Sequence, residues 1–156
     1  MRGASKKDPR AVGEVEKDPQ QKRVYAWERE WFDWNVNSLS LSQCRQVIHQ
    51  ACELFRVEPP TVRSHKGRYW SWQQEDLIDL QNSGDSRPGY GQMNKAVALH
   101  EAAHYIHWRR GGRGQPHGPT WLGIYMFLLE NFNVAPPLAL WMTANDHKLR
   151  WAECKP

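Results

Sequence analysis

Two histidines and a glutamate in the stretch His100-Glu101-Ala102-Ala103-His104 form the pattern H-E-x-x-H. On a helix, residues four apart lie one above the other on the same face. Both imidazoles can then point at one ion while Glu101 occupies the adjoining flank. The arrangement suits Zn2+ and a water. An ion with an open coordination position lowers the pKa of its water to about 7, and a neighbouring carboxylate takes the proton as the water attacks a carbonyl. Glu101 is the expected general base, and hydrolysis the expected reaction class. A catalytic zinc needs a third protein ligand. His117 is the expected one, because Gly111, Gly112 and Gly114 let the chain fold back and Pro119 can start the next helix with His117 at its mouth. Glu130, farther along that helix, is its rival.

Other residues could assist. His107 lies on nearly the same face as His100 and is either an extra donor or plain helix surface. Tyr90, Tyr105 and Tyr125 each offer a phenol for a developing oxyanion, against the simpler role of packing. Asp79 or Asp85 could hold the second ring nitrogen of a ligand histidine. Arg109, Arg110 and Arg113 read as a solvated cap on the carboxy end of the metal helix, with contact to phosphate or an acidic substrate as the lesser role. The nine tryptophans are expected mainly as core fillers, although Trp70 and Trp72 would face one side of a strand and could stack on a ligand.

The elements that must position these groups follow from apolar spacing. Val24, Tyr25, Trp27, Trp31 and Trp34 recur at helical intervals, and a turn over residues 35–39 ends that helix. Ser40 with Gln43 forms a capping-box signature before the stripe Leu41, Cys44, Val47, Ile48, Ala51, Cys52 and Phe55, and Pro59 and Pro60 are the expected stop. Three strands are expected at 61–65, 68–73 and 76–81, followed by a loop at 82–91 that would form one rim of the cleft. The metal helix is expected over 93–110, a helix with its apolar face over 121–132 after Pro119, and a last helix over 138–151. The result is an α+β domain in which a short antiparallel three-stranded sheet packs on helices, among them the H-E-x-x-H helix.

A chain of 156 residues, 40% apolar with 12% aromatics, supports one domain with a single core. Residues 1–22 carry scarcely an apolar side chain and are expected to be a disordered charged tail, leaving 23–156 as the folded unit. The net charge of +4 belongs mostly to that end: the first 23 residues hold seven Lys/Arg against four Asp/Glu, and the remaining 133 hold 14 against 13. Nucleic acid attracted to the basic tail is thus the less favoured partner. No apolar run approaches the roughly 20 residues that span a bilayer, and no secretory h-region is present, so the expected location is cytoplasmic. Cys44, Cys52 and Cys154 have no metal or disulfide spacing, and the first two are expected to be buried thiols of one helix.

His100 to His104 followed by His117-Gly118-Pro119-Thr120-Trp121 resembles the SprT/Spartan-like zinc metallopeptidases, in which the H-E-x-x-H helix is followed by H-G-x-x-F or a close variant. It is also similar to small H-E-x-x-H metallohydrolases of actinobacteria and their phages. The likeness runs from about Thr61 to Phe132 and includes Ile78-Asp79-Leu80, similar to the I-x-L strand that precedes the metal helix in those families. Trp121 stands where the family usually has Phe. The resemblance implies a minimal zincin-like fold, zinc held by His100, His104 and His117, Glu101 as base, and a protein or peptide substrate. The zinc ribbon that targets many relatives to DNA is not among the 156 residues, so a DNA-repair role is not implied. A non-catalytic, zinc-stabilised module that binds protein or nucleic acid is the alternative.

Overall fold

The structure is a computed structural model that describes residues 18–32, 38–67, 70–82 and 93–156. The elements run α1 (Gln21–Phe32), α2 (Leu41–Leu54), β1 (Thr61–His65), β2 (Trp72–Gln74), β3 (Leu77–Gln81), α3 (Lys95–Arg109), α4 (Pro119–Asn131) and α5 (Pro137–Asp146). This is a mixed α+β arrangement. Among the described residues no helix is long and apolar enough to cross a membrane.

Most of the expected tail, residues 1–17, lies outside the described residues, but its expected boundary at 22 is too late. Asp18 to Gln20 form a turn into α1, and the Gln20 side chain is buried. Its amide nitrogen donates to the carbonyls of His117 (3.0 Å) and Arg150 (3.1 Å), and its oxygen accepts the Arg150 N–H at 2.6 Å. A polar residue can be buried where all its bonds are made, which composition alone does not reveal. Trp34 and the expected turn residues 35–37 are outside the described set, whereas Leu39 donates its N–H to the Met93 carbonyl (2.8 Å).

The capping box of α2 forms as its sequence dictates. The Gln43 N–H donates to Ser40 Oγ (3.1 Å), and the Ser40 N–H donates to Gln43 Oε1 (2.9 Å). The helix buries Cys44, Ile48, Ala51 and Cys52 and stops well before the two prolines. Arg56 takes φ 53°, and the Val57 N–H reaches back five residues to the Cys52 carbonyl. The same closure ends α4, through Asn133 (φ 53°) and Val134 to Leu129, and α5, through Lys148 (φ 55°) and Leu149 to Ala144. For that reason α5 ends at Asp146 and not near 151. The chain then runs on without helix past α4, where the Ala152 N–H donates to the Pro119 carbonyl and the Ala152 carbonyl faces Gly123.

The sheet corrects the expected antiparallel meander. Its order is β1-β3-β2, with β1 parallel to β3 and β2 antiparallel to it. Ile78, Asp79 and Leu80 of β3 are all buried, so this strand takes the centre, where both edges are paired; β1 and β2 bury less and form the edges. At the end of β3, the Gln81 N–H donates to Ser71 Oγ and the Gln81 amide to the Gly67 carbonyl. The expected strand at 68–73 is displaced to Trp72–Gln74, with 68–69 outside the described residues.

One apolar core joins these elements, with Trp27, Trp121, Tyr105, Tyr125, Ile48, Ile78, Leu80, Leu99 and Ile106 nearly or wholly without exposure. Each such aliphatic side chain contributes on the order of 1.5–3 kcal/mol by leaving water. The core contains α3, which contacts α2, α4 and the sheet. Asn94 caps this helix by accepting the Val97 N–H (2.8 Å), and fully buried Ala102 and Ala103 let its neighbours approach. Gly111 at φ 72° and the Gly112 N–H on the His107 carbonyl close its carboxy end and turn the chain toward His117. Trp27 and Trp121 are core residues as expected, while Trp70, Trp108 and Trp141 are exposed.

Candidate metal centre

His100 and His104 project from the same face of α3, as a four-residue spacing requires, and His117 approaches from the residue preceding Gly118, the N-cap of α4. The His104 Nε2 lies 3.1 Å and the His117 Nε2 3.3 Å from the His100 Nε2. All three ligand atoms lie within 4.8 Å of one another, so the group can hold a metal ion. Two nitrogens each about 2.0–2.1 Å from a tetrahedral centre would be about 3.3–3.4 Å apart, and the two spacings to His100 Nε2, 3.1 and 3.3 Å, are close to that value.

The opposite ring nitrogens determine which nitrogens are available. His100 Nδ1 lies 2.8 Å from Glu28 Oε2 on α1, and His117 Nδ1 lies 2.7 Å from Asp18 Oδ2. A carboxylate accepts, so each Nδ1 carries a hydrogen, and in the neutral ring the Nε2 lone pair then faces inward. Asp18 Oδ2 also accepts the His117 backbone N–H (3.0 Å), which fixes the ligand's main chain as well as its ring. Glu28 Oε2 receives a further bond from the Tyr125 hydroxyl (2.9 Å), which also lies 3.3 Å from the Ala96 carbonyl. Two carboxylates from the amino-terminal part of the chain thus orient ligands supplied by the later helices.

Charge follows this geometry. Burial acts to lower the His100 pKa, but the charge and hydrogen bond of Glu28, with a contribution from Glu101, outweigh it and leave His100 raised. Burial dominates at His117, which ends lowered despite its bond to Asp18; the nearby His100 charge acts in the same direction. Burial acts to raise Asp18, yet its bonds to His117 and the His117 charge bring it below its ordinary value. An ionised Asp18 accepting from a neutral His117 satisfies both trends. The cluster therefore gathers negative charge from Glu28, Glu101 and Asp18 around neutral or singly protonated imidazoles, a field suited to a cation.

Trp121 stands against all three imidazoles, its ring centre 4.8 Å from each. It is fully buried, whereas His104 is half-buried and Tyr25 of α1, whose ring centre lies 5.2 Å from that of His117, is 40% exposed.

No family model, no curated protein and no solved structure matches this chain.

The structure brings together His100, His104 and His117, with buried Glu101 close enough for its charge to act on His100 and Tyr125. Glu130 is elsewhere, accepting a hydrogen bond from Trp141 Nε1 (2.6 Å). His107 is buried, with its Nε2 without a partner, and packs near Gly112 outside the three-histidine group. Asp79 is engaged by Arg63 (2.7 Å) and His65 (2.6 Å) on the sheet and orients no ligand. Asp85 and Tyr90 lie outside the described residues. Tyr105 and Tyr125 spend their hydroxyls on the Glu58 carbonyl and on Glu28. Arg110 donates to the Lys155 carbonyl and covers the Phe55 ring, while Arg109 lies over Trp108, so both pack locally.

Sequence reasoning missed Asp18 and Glu28. Glu28 had a visible signal: it follows Val24 by four on a helix whose buried side includes Val24 and Trp27, and a carboxylate on an apolar face requires a buried partner. Asp18 had none, sitting in a run of charges like the rest of the amino-terminal segment.

Proposed function

We propose that this protein is a zinc-dependent hydrolase, a metallopeptidase that cleaves peptide bonds. The observation that carries the proposal is the convergence of three Nε2 atoms, with two of the opposite Nδ1 atoms held by the carboxylates of Glu28 and Asp18 and buried Glu101 beside them. Nitrogen donors at this spacing suit zinc, and when bound the ion supplies a Lewis acid and lowers the pKa of water to about 7.

The chain's own residues would do the rest. Glu101, one residue after the first ligand, takes a proton from the attacking water and passes it to the nitrogen that leaves. Glu28 and Asp18 keep two imidazoles in the tautomer that presents Nε2. Trp121 and Tyr125 exclude water from the side of the site that faces the core. The choice of peptide as the substrate class is supported by the resemblance of His100–His104 and His117–Trp121 to SprT-like metallopeptidases.

Glu101→Gln tests the assignment directly, because glutamine keeps the size of the side chain and cannot take the proton. The variant should retain its metal and lose turnover of a peptide library by at least about 100-fold. Turnover equal to wild type in metal-loaded Glu101→Gln protein would overturn the assignment.

A further inference from the structure

We infer that Gln20 is a positioning residue for the metal centre, one that couples metal capture by His117 to docking of the carboxy-terminal segment; the inference rests on the metal-centre reading above. The three expected ligands are not held alike. His100 and His104 lie inside α3, where the helix fixes their main chain. His117 precedes the N-cap of α4, on the connection between two helices, and the turn before α1 takes over that task. The His117 N–H donates to Asp18 Oδ2 (3.0 Å), and the His117 carbonyl accepts from Gln20 Nε2 (3.0 Å). With its Nδ1 on the same Asp18 oxygen (2.7 Å), the residue is gripped at three points.

The bonds of Gln20 call for a side-chain amide, which has two hydrogens to give and an oxygen that accepts. Nε2 donates to the carbonyls of His117 and of Arg150 (3.1 Å), while Oε1 accepts the Arg150 N–H (2.6 Å). Gln20 is buried, so water does not replace a bond that is lost. Arg150 begins the segment that runs beside α4. There the Ala152 N–H donates to the Pro119 carbonyl (3.0 Å), and the Ala152 carbonyl packs on Gly123. One side chain therefore joins the main chain of a metal ligand to a segment that follows it by 33 residues in sequence and lies on the helix it precedes.

Coupling of this kind acts in both directions. A metal on the His117 ring fixes the carbonyl that Gln20 holds, and through Gln20 it steadies Arg150. Docking of Arg150 and Ala152 in turn holds Gln20 in place and presents His117 to the metal. Gln20 bonds to the main chain of His117 and not to its ring, so it acts only through that residue.

The test compares the full-length wild type with Gln20→Glu, Gly123→Ala and the double variant. Glutamate keeps the size of the side chain and an oxygen for the Arg150 N–H, but when ionised it has no hydrogen for either carbonyl. Gly123→Ala acts on the segment from its other side, where the three nearest atoms to the added Cβ all belong to Ala152. Zinc affinity is measured by competition with a chelator, the visible absorption is recorded at saturating cobalt(II), and the rate of tryptic cleavage after Arg150 is followed with and without zinc. The expected result is zinc affinity about 10-fold weaker in Gln20→Glu and about 5-fold weaker in Gly123→Ala, with no further loss when Gly123→Ala is added to Gln20→Glu. The cobalt band should shift in Gln20→Glu, and zinc should slow the cleavage about 5-fold or more in wild type but not in that variant. Unchanged zinc affinity and cobalt absorption in Gln20→Glu, or cleavage that zinc slows equally in both, would overturn the role of Gln20 and leave the hydrolase reading standing. If Gln20→Glu does not fold, Gly123→Ala decides alone: weaker zinc binding supports the coupling and wild-type affinity overturns it. A wild-type chain that binds no metal would overturn both readings.

Discussion

Replacing Glu28 by glutamine should weaken metal binding about 10- to 100-fold while preserving the fold. Glu28 Oε2 accepts from His100 Nδ1 at 2.8 Å and from the Tyr125 hydroxyl at 2.9 Å, and the glutamine amide oxygen can take over either bond. What is lost is the negative charge that outweighs burial at His100. Because a ligand that binds only the folded chain stabilises it in proportion to the logarithm of its affinity, the same loss lowers the metal-dependent part of folding stability by about 1.4–2.7 kcal/mol at fixed free zinc. Urea unfolding in zinc-buffered solution and in chelator, for wild type and Glu28→Gln, gives that difference directly. An equal gain from zinc in both proteins would refute the idea that Glu28 tunes the site.

Two further predictions concern the scaffold. A Cβ at Gly123 would lie 2.2 Å from the Ala152 carbonyl oxygen, a backbone atom that cannot rotate away, so Gly123→Ala should displace the carboxy-terminal segment and cost about 1–3 kcal/mol; faster cleavage after Arg150 in limited proteolysis would report it. Burial pushes the Cys44 thiol up to about 11 and the Cys52 thiol up to about 12, although the Arg109 charge opposes the latter. Between pH 9 and 11 the unfolded chain therefore releases protons that the folded chain keeps, and stability must fall as pH rises. At pH 10 the loss is about 3 kcal/mol for the two thiols together. Comparing urea unfolding at pH 8 and 10 in wild type and in the Cys44→Ala, Cys52→Ala double variant checks this, since the variant should lose less.

The local rules read well where one element sufficed to decide them. The Ser40–Gln43 box, the α2 stripe, the Pro119 start of α4 and the His100–His104 pair all depend on spacings of three or four residues, and each has the expected place. His117 was reachable because the glycines before it and Pro119 after it constrain a short connection. The sheet order was not, since β3 takes the centre through the burial of Ile78, Asp79 and Leu80 against other elements, a fact of packing and not of turn chemistry. Helix ends were misplaced for a related reason. Arg56, Asn133 and Lys148 adopt the left-handed conformation that sequence reading reserves for glycine, because the closing bond and the burial of Val134 and Leu149 offset the strain. The contacts of Glu28 with His100 and of Asp18 with His117 span 72 and 99 residues, so only the docking of α1 against α3 and α4 brings them together.

The most direct test of the central claim is metal content, measured by elemental analysis on protein purified without a histidine tag, for wild type, His117→Ala and Glu130→Ala. The account predicts about one zinc per chain in wild type, loss of the metal from His117→Ala and its retention in Glu130→Ala, whose carboxylate is engaged with Trp141 and not with the histidines. A wild-type chain without metal even after incubation with zinc, or one that keeps its metal in His117→Ala and loses it in Glu130→Ala, would contradict it.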